Sequence, residues 1–200
     1  MMCGPPAGSG WRFSLLGGDL DEQGGMPMDR QGLRRLVELA IAVALTTVLS
    51  QIRVYKLPQG GSITAGSMVP IFYVALRWGF RWGLLAGLLA GVVNYITEPF
   101  YVHPVQVLLD YPIAFGAIGL AGLFQRRPVA GVVVGGAGRF VAHFLSGIVF
   151  FASYAPKGVS PAVYSAVYNG SYMLPEVIIS SILTVLVLRA MERVQPVQPA

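Results

Sequence analysis

The 200-residue chain is short of charge, thiols and imidazoles, and each shortage excludes something. Only 12% of its residues are Asp, Glu, Lys or Arg, where a soluble domain carries about a quarter. With 54% hydrophobic residues and a mean hydropathy of +0.64, a soluble fold would have to hide several long uncharged runs. A polytopic membrane protein fits better. Cys3 is the single cysteine, which rules out a disulfide framework and a thiolate metal site. His103 and His143 are the two histidines, and no HExxH is present, so a metal hydrolase is disfavoured. The glycine cluster GVVVGGAGRF lacks the GK[ST] ending of a phosphate-binding loop, so the chain brings no ATP site of its own. Ser146 follows His143 by three residues, but there is no GxSxG elbow. The formal charge of +5 is spread between apolar runs and makes no nucleic-acid patch; the basic residues read as topology signals. No catalytic residue, metal or cofactor is expected.

What is abundant is apolar sequence and glycine, with 25 glycines in all. Small residues let transmembrane helices approach closely. Residues 1–28 are Gly/Pro-rich, polar and aperiodic; they lack the apolar core of a signal peptide and read as a disordered tail. Met26 and Met28 are both plausible true starts. Residues 29–194 form the membrane domain and 195–200 a C-terminal tail. Within the domain, six apolar segments are bounded by charges or turn residues. They run over Leu33–Ile52, Ile63–Leu76, Phe80–Thr97, Pro104–Phe124, Val129–Ser153 and Ala162–Met191. The second falls short of the roughly 17–20 residues that a span needs. Such a segment is tilted, re-entrant or protected by its neighbours.

Charge asymmetry orients the spans. With the N-terminus inside, Arg30, Arg34, Arg35, Arg77, Arg81, Arg126, Arg127, Arg189 and Arg193 face the cytoplasm. Arg53, Lys56 and Lys157 face out. The imbalance puts both termini in the cytoplasm. The outer loops are then RVYKLPQGGS, EPFYVHP and SYAPKGVSP, rich in aromatics, Pro and Gly, so recognition is expected on the outer side.

Four ionisable groups fall in the outer half of the spans: Asp110, Arg139, His143 and Glu176. An acid near a helix centre costs about 2.5–3.5 kcal/mol on insertion scales, and such groups are functional by default. Asp110 lies six residues into its segment, about 9 Å below the outer rim at 1.5 Å per residue. Arg139 and His143, four residues apart, share a helix face. Tyr164, Tyr168 and Tyr172 recur every four residues, with Asn169 and Glu176 interleaved. Acid plus aromatics suits a flat, polar, cationic ligand through charge pairing, stacking and cation–π contact. An Asp110–Arg139 ion pair that only fixes packing, a structural His143 and an interfacial tyrosine belt are the plainer alternatives. In the first segment, Ala40 and Ala44 make a small-xxx-small face, either for packing within the chain or for docking another subunit.

Four strings carry a family resemblance: KLPQGGSITAGSMVPIFYVALRWG, HPVQVLLDYPIAFGAIGLAG, RFVAHFLSGIVFFASYAPKG and VYSAVYNGSYMLP. In this order they resemble the thiamine-specific substrate-binding (S) components of energy-coupling factor transporters, in the Bacillus-like branch with the PQGGS loop. The similarity covers about Leu33 to Leu188. It implies an all-α integral membrane protein with the six-helix S-component fold and cytoplasmic termini, in the bacterial cell membrane. Such a protein binds thiamine from outside and docks onto a membrane coupling subunit with two cytoplasmic ATPases. The family acid falls on Asp110, followed by Tyr111. The family histidine falls on His143, with its preceding basic residue on Arg139. The tyrosine and asparagine fall on Tyr164 and Asn169, and the docking alanines on Ala40 and Ala44. Some members carry tryptophan where Phe151 stands, and also in the first outer loop and third helix. Here Trp78 and Trp82 lie at the predicted inner edge, so stacking passes to Phe151 and the tyrosines. The alternatives are an S component for another vitamin or precursor, such as hydroxymethylpyrimidine, and a structural membrane protein.

Overall fold

The structure, a computed structural model, describes residues 30–194; both predicted tails, 1–28 and 195–200, lie outside them. Among the described residues six helical segments form: α1 (Arg30–Gln51), α2 (Val69–Trp78), α3 (Phe80–Thr97), α4 (Pro104–Phe124), α5 (Pro128–Phe150) and α6 (Pro161–Val194). The compact unit begins at Arg34, and Arg30–Leu33 supply the first turn of α1. Proline stands in the opening turn of α2, α4, α5 and α6, where its missing N–H costs nothing and its fixed φ suits the helix.

Length and composition let α3, α4, α5 and most of α6 cross a membrane. Four of the described helices are thus long and apolar enough for a chain that crosses a membrane several times. α1 is long enough, with 22 residues, but Arg34, Arg35 and Glu38 load its first turns. α2 has only 10 residues. The second apolar segment was predicted to run from Ile63, and the structure corrects this. Ser62–Thr64 (β2) pairs antiparallel with Arg53–Lys56 (β1), Tyr55 opposite Ile63 and Lys56 opposite Ser62. β-Branched and aromatic residues flanking PQGG favour a hairpin there over a helix. The short α2 survives by being enclosed. Met68, Ile71, Phe72, Ala75 and Leu76 form one buried cluster with Ala90 of α3, Phe115, Ile118 and Ala121 of α4, and Val132 of α5.

Around that core the outward faces are apolar. Val163, Val167, Leu174, Ile178, Ile182 and Leu186 make one exposed stripe along α6, as a lipid-facing helix requires. α1 turns Leu39, Ala42, Thr46 and Ser50 inward and leaves Ala40 and Ala44 exposed.

α3 and α4 pack almost backbone to backbone. A Cβ on Gly87 would lie 2.2 Å from the Phe115 carbonyl oxygen, and one on Gly91 2.6 Å from that of Tyr111. Four-residue glycine spacing thus sets how close α4, and Asp110 with it, comes to α3. At the opposite end from the hairpin, Glu38 accepts from Trp78 Nε1 at 2.7 Å and Arg34 Nε at 2.9 Å. Arg35 lies 5.0 Å over the Trp78 ring. This cluster fastens α1 to α2, and it keeps Trp78 and Trp82 out of the cavity described next.

Candidate ligand-binding site

Asp110 stands on an irregular turn. Within α4, Leu109–Ile113 is π-helical and contains Pro112. The Ala114 N–H bonds to Leu109 O, five residues back. Proline removes a donor and crowds the preceding turn, and a π-turn absorbs both effects; such turns concentrate at functional sites. Here the widened turn faces a cavity of about 410 Å³, within the range of small-molecule pockets.

All seven predicted site residues line that one cavity. Asp110 is its best-served acceptor. Gln106 Nε2 donates to Oδ2 at 2.7 Å and Ser146 Oγ donates to the same oxygen at 2.9 Å. His143 Nδ1 lies 3.0 Å from Oδ1. Arg139 Nε donates to His143 Nε2 at 3.3 Å. Because arginine can only donate, Nε2 carries the lone pair and the Nδ1–H points at Asp110. The imidazole is therefore neutral and fixed in one tautomer by its two neighbours. Oδ1, with one donor, keeps an acceptor position for a ligand.

The predicted alternative of an Asp110–Arg139 ion pair is absent among the described residues. His143 stands between the two charges. The Arg139 guanidinium instead lies 4.2 Å over the Phe115 ring.

The other predicted residues divide into open and engaged groups. Tyr164 stacks on Tyr168 at 6.0 Å, and its hydroxyl has no partner among the described residues. Asn169 is buried and committed to the frame. Its amide donates to Ser165 O at 2.9 Å and its carbonyl accepts from Tyr172 at 2.7 Å, tying the tyrosine row together. Tyr111 presents a ring, but its hydroxyl accepts from Phe100 N and donates to Glu98 O, both at 2.9 Å. It pins the α3–α4 loop. That loop carries Phe100 onto Phe151, with ring centroids 5.9 Å apart and planes 22° from parallel.

Several contributors escaped the sequence reading. Gln106, wholly buried, accepts from Val102 N at 3.0 Å while donating to Asp110. Its four-residue spacing from Asp110 was the available signal. Phe100 carried no signal beyond lying in an aromatic outer loop. The hairpin covers the cavity from above. Gly61 N donates to Tyr168 Oη at 3.1 Å, and a Cβ on Gly61 would lie 2.8 Å from the Tyr172 ring. Arg53 at the hairpin root pairs with Glu98 at the end of α3. Lower down, Glu176 Oε2 accepts from Thr64 N at 2.7 Å, and Oε1 accepts from Thr64 Oγ1 at 2.5 Å and Ser67 Oγ at 3.5 Å.

A polar cavity inside apolar helices, closed by a hairpin and walled by aromatics, has the volume and lining that suit a small ligand. Residues 36–195 match the family described as "Thiamine transporter protein (Thia_YuaJ)". The chain belongs to the thiamine transporter family. Thiamine transporter ThiT of Bacillus subtilis (strain 168) is 40% identical over 169 residues, covering 75% of this chain and 88% of the relative. Thiamine transporter ThiT of Lacticaseibacillus paracasei is 31% identical over 185 residues, covering 80% and 88%. The solved structure of ThiT from Listeria monocytogenes superposes with a TM-score of 0.75 at 28% identity, covering 82% of this chain and 98% of that one. Members of the family are membrane transport proteins, not enzymes.

Proposed function

We propose that this member of the thiamine transporter family binds thiamine from the outer side of the membrane. It does so as the substrate-specificity subunit of an energy-coupling-factor importer. The observation that carries the reading is Asp110: a carboxylate held by three donors inside the membrane, with an open acceptor position on an aromatic-walled cavity. Thiamine offers a permanently cationic thiazolium, an aminopyrimidine and a hydroxyethyl tail. Asp110 offsets the cation and accepts from the pyrimidine amine. Tyr164 and Asn169 complete the polar edge, Phe151 and His143 give ring contact, and Tyr111 and Arg139 hold the surroundings in place.

The chain has no nucleotide-binding loop, so energy comes from two separate ATPases through a membrane coupling subunit. Ala40 and Ala44, side by side on the exposed face of α1, suit close docking of that subunit. In this reading all six helical segments traverse the bilayer, α2 being completed by the hairpin, and both termini are cytoplasmic.

The test is a thiamine titration of the purified chain followed by its own fluorescence, with mass spectrometry of any ligand carried through purification. Saturable binding of one thiamine per chain is expected. The reading fails if no saturable signal appears, and it passes to a precursor transporter if hydroxymethylpyrimidine binds as tightly as thiamine.

A further inference from the structure

The loop between α3 and α4 is held from two sides. From α4, two side chains reach back to its backbone. The Tyr111 hydroxyl accepts from Phe100 N and donates to Glu98 O, both at 2.9 Å, and the Gln106 carbonyl accepts from Val102 N at 3.0 Å. From the C-terminal end of α5, two rings close on the same loop. Phe151 stacks on Phe100 with centroids 5.9 Å apart and planes 22° from parallel, and Phe150 stacks on His103 at 5.1 Å and 20°. The two α4 residues that hold the loop also bracket the carboxylate. Gln106 donates to Asp110 Oδ2 at 2.7 Å, and Tyr111 follows Asp110 in the π-turn. Tyr111 is buried and its ring meets Tyr95 edge-on at 5.1 Å, which fixes the direction of the hydroxyl. Asp110 and the Phe100–Phe151 wall, both on the cavity, are thus parts of one hydrogen-bonded frame.

We infer that Tyr111 is a positioning residue that acts through Phe100. By fixing the loop, its hydroxyl sets the distance between Asp110 and the aromatic wall, and so selects a ligand that fills both. The one hydroxyl proton goes to Glu98 O, which leaves none to give a ligand. The inference rests on the thiamine reading, in which the aminopyrimidine meets Asp110 and the thiazolium meets the wall. It goes further by making the spacing of the two halves a basis of selection, and by bringing in Phe100. A single-ring ligand needs only the Asp110 half and is indifferent to that spacing. A residue that served stability alone would weaken both kinds of ligand together.

The test compares affinities for thiamine and for hydroxymethylpyrimidine, a single ring that bears the amine, by equilibrium dialysis on the purified full chain. In Tyr111→Phe the ring stays and the hydroxyl goes. Thiamine should bind about five- to tenfold more weakly, the scale of one hydrogen bond of ordinary net strength, while hydroxymethylpyrimidine stays within about twofold of the wild type. Phe100→Leu keeps apolar bulk and removes the stack; it should show the same selective loss, and it decides the matter if Tyr111→Phe does not fold. Because both changes act on one contact, the double variant should bind thiamine no more weakly than Phe100→Leu alone. That comparison uses thiamine only, and so decides even where hydroxymethylpyrimidine binds too weakly to measure. Equal losses for the two ligands in either single variant, no loss in either, or losses that multiply in the double variant would each overturn the inference. Absence of thiamine binding in the wild type removes the thiamine reading and this inference with it. Normal wild-type binding with any of those three results removes the inference alone.

Discussion

At the scale of the residue, the site turns on how one carboxylate is held. Asp110 takes donors from Gln106 on its own helix and from His143 and Ser146 on α5, so its orientation is set before a ligand arrives. Asp110→Asn should weaken thiamine binding tenfold or more, since a charge-assisted contact contributes about 1.5–3 kcal/mol; equilibrium dialysis measures it, and unchanged affinity would sink the assignment. Gln106→Leu should cost more than the loss of one bond, because it also strands the Val102 N–H. A weaker site together with a thermal midpoint lowered by several degrees is expected, consistent with about 1–3 kcal/mol for an unsatisfied buried group. Ligand affinity and thermal unfolding, measured on the same preparation, check both halves. The prominence of Asp110, Arg139 and His143 was legible because ionisable residues are rare in apolar runs. The order of their contacts was not, because a four-residue spacing says that two side chains share a face and not which atoms meet. Hence the expected alternative of an Asp110–Arg139 pair gave way to an arginine–histidine–aspartate series.

At the scale of the element, two features decide whether the cavity exists. The π-turn of α4 gives Asp110 its aim, and the hairpin Arg53–Thr64 gives the cavity its roof. Gly61 passes so close to Tyr168 and Tyr172 that Gly61→Val should push the hairpin off the tyrosines. Faster thiamine release with little change in the association rate is the expected outcome, read by stopped-flow fluorescence; equal changes in both rates, or none, would contradict it. The helix boundaries of α3 and α4 were readable to the residue from Phe80–Thr97 and Pro104–Phe124, because charges and prolines bracket them. The hairpin was hidden because its few residues are split by the turn, and an apolar run beginning at Ile63 looks like the start of a helix. Only the pairing of Tyr55 with Ile63 fixes the chain there as strand.

At the scale of the whole molecule, the design is a ligand receptor without a motor. Thiamine at a hundredfold excess over its dissociation constant should stabilise the folded chain by about 2.7 kcal/mol, visible as a raised thermal midpoint in detergent; a midpoint indifferent to thiamine would count against specific binding. Reconstituted alone in vesicles with ATP inside, the chain should bind thiamine without concentrating it, and accumulation of labelled thiamine under those conditions would refute the division of labour. For topology, single cysteines at Lys157 and Arg126 in a chain lacking Cys3 should label from outside and inside respectively, which impermeant maleimides test.

The sequence by itself determined the membrane class and the set of residues that would meet, because hydropathy and costly buried polar groups are local properties. Tertiary structure alone decided how those residues divide the work. Glycine spacing brought α4 against α3, and a π-turn rotated Asp110 into the cavity. A fixed tautomer placed the His143 ring between Arg139 and Asp110. The fold also set Glu176, one of the four ionisable groups marked by the sequence, beneath the hairpin, where Thr64 and Ser67 donate to it. Which atoms meet is decided in three dimensions, while a reading along the chain gives only the residues that are candidates to meet.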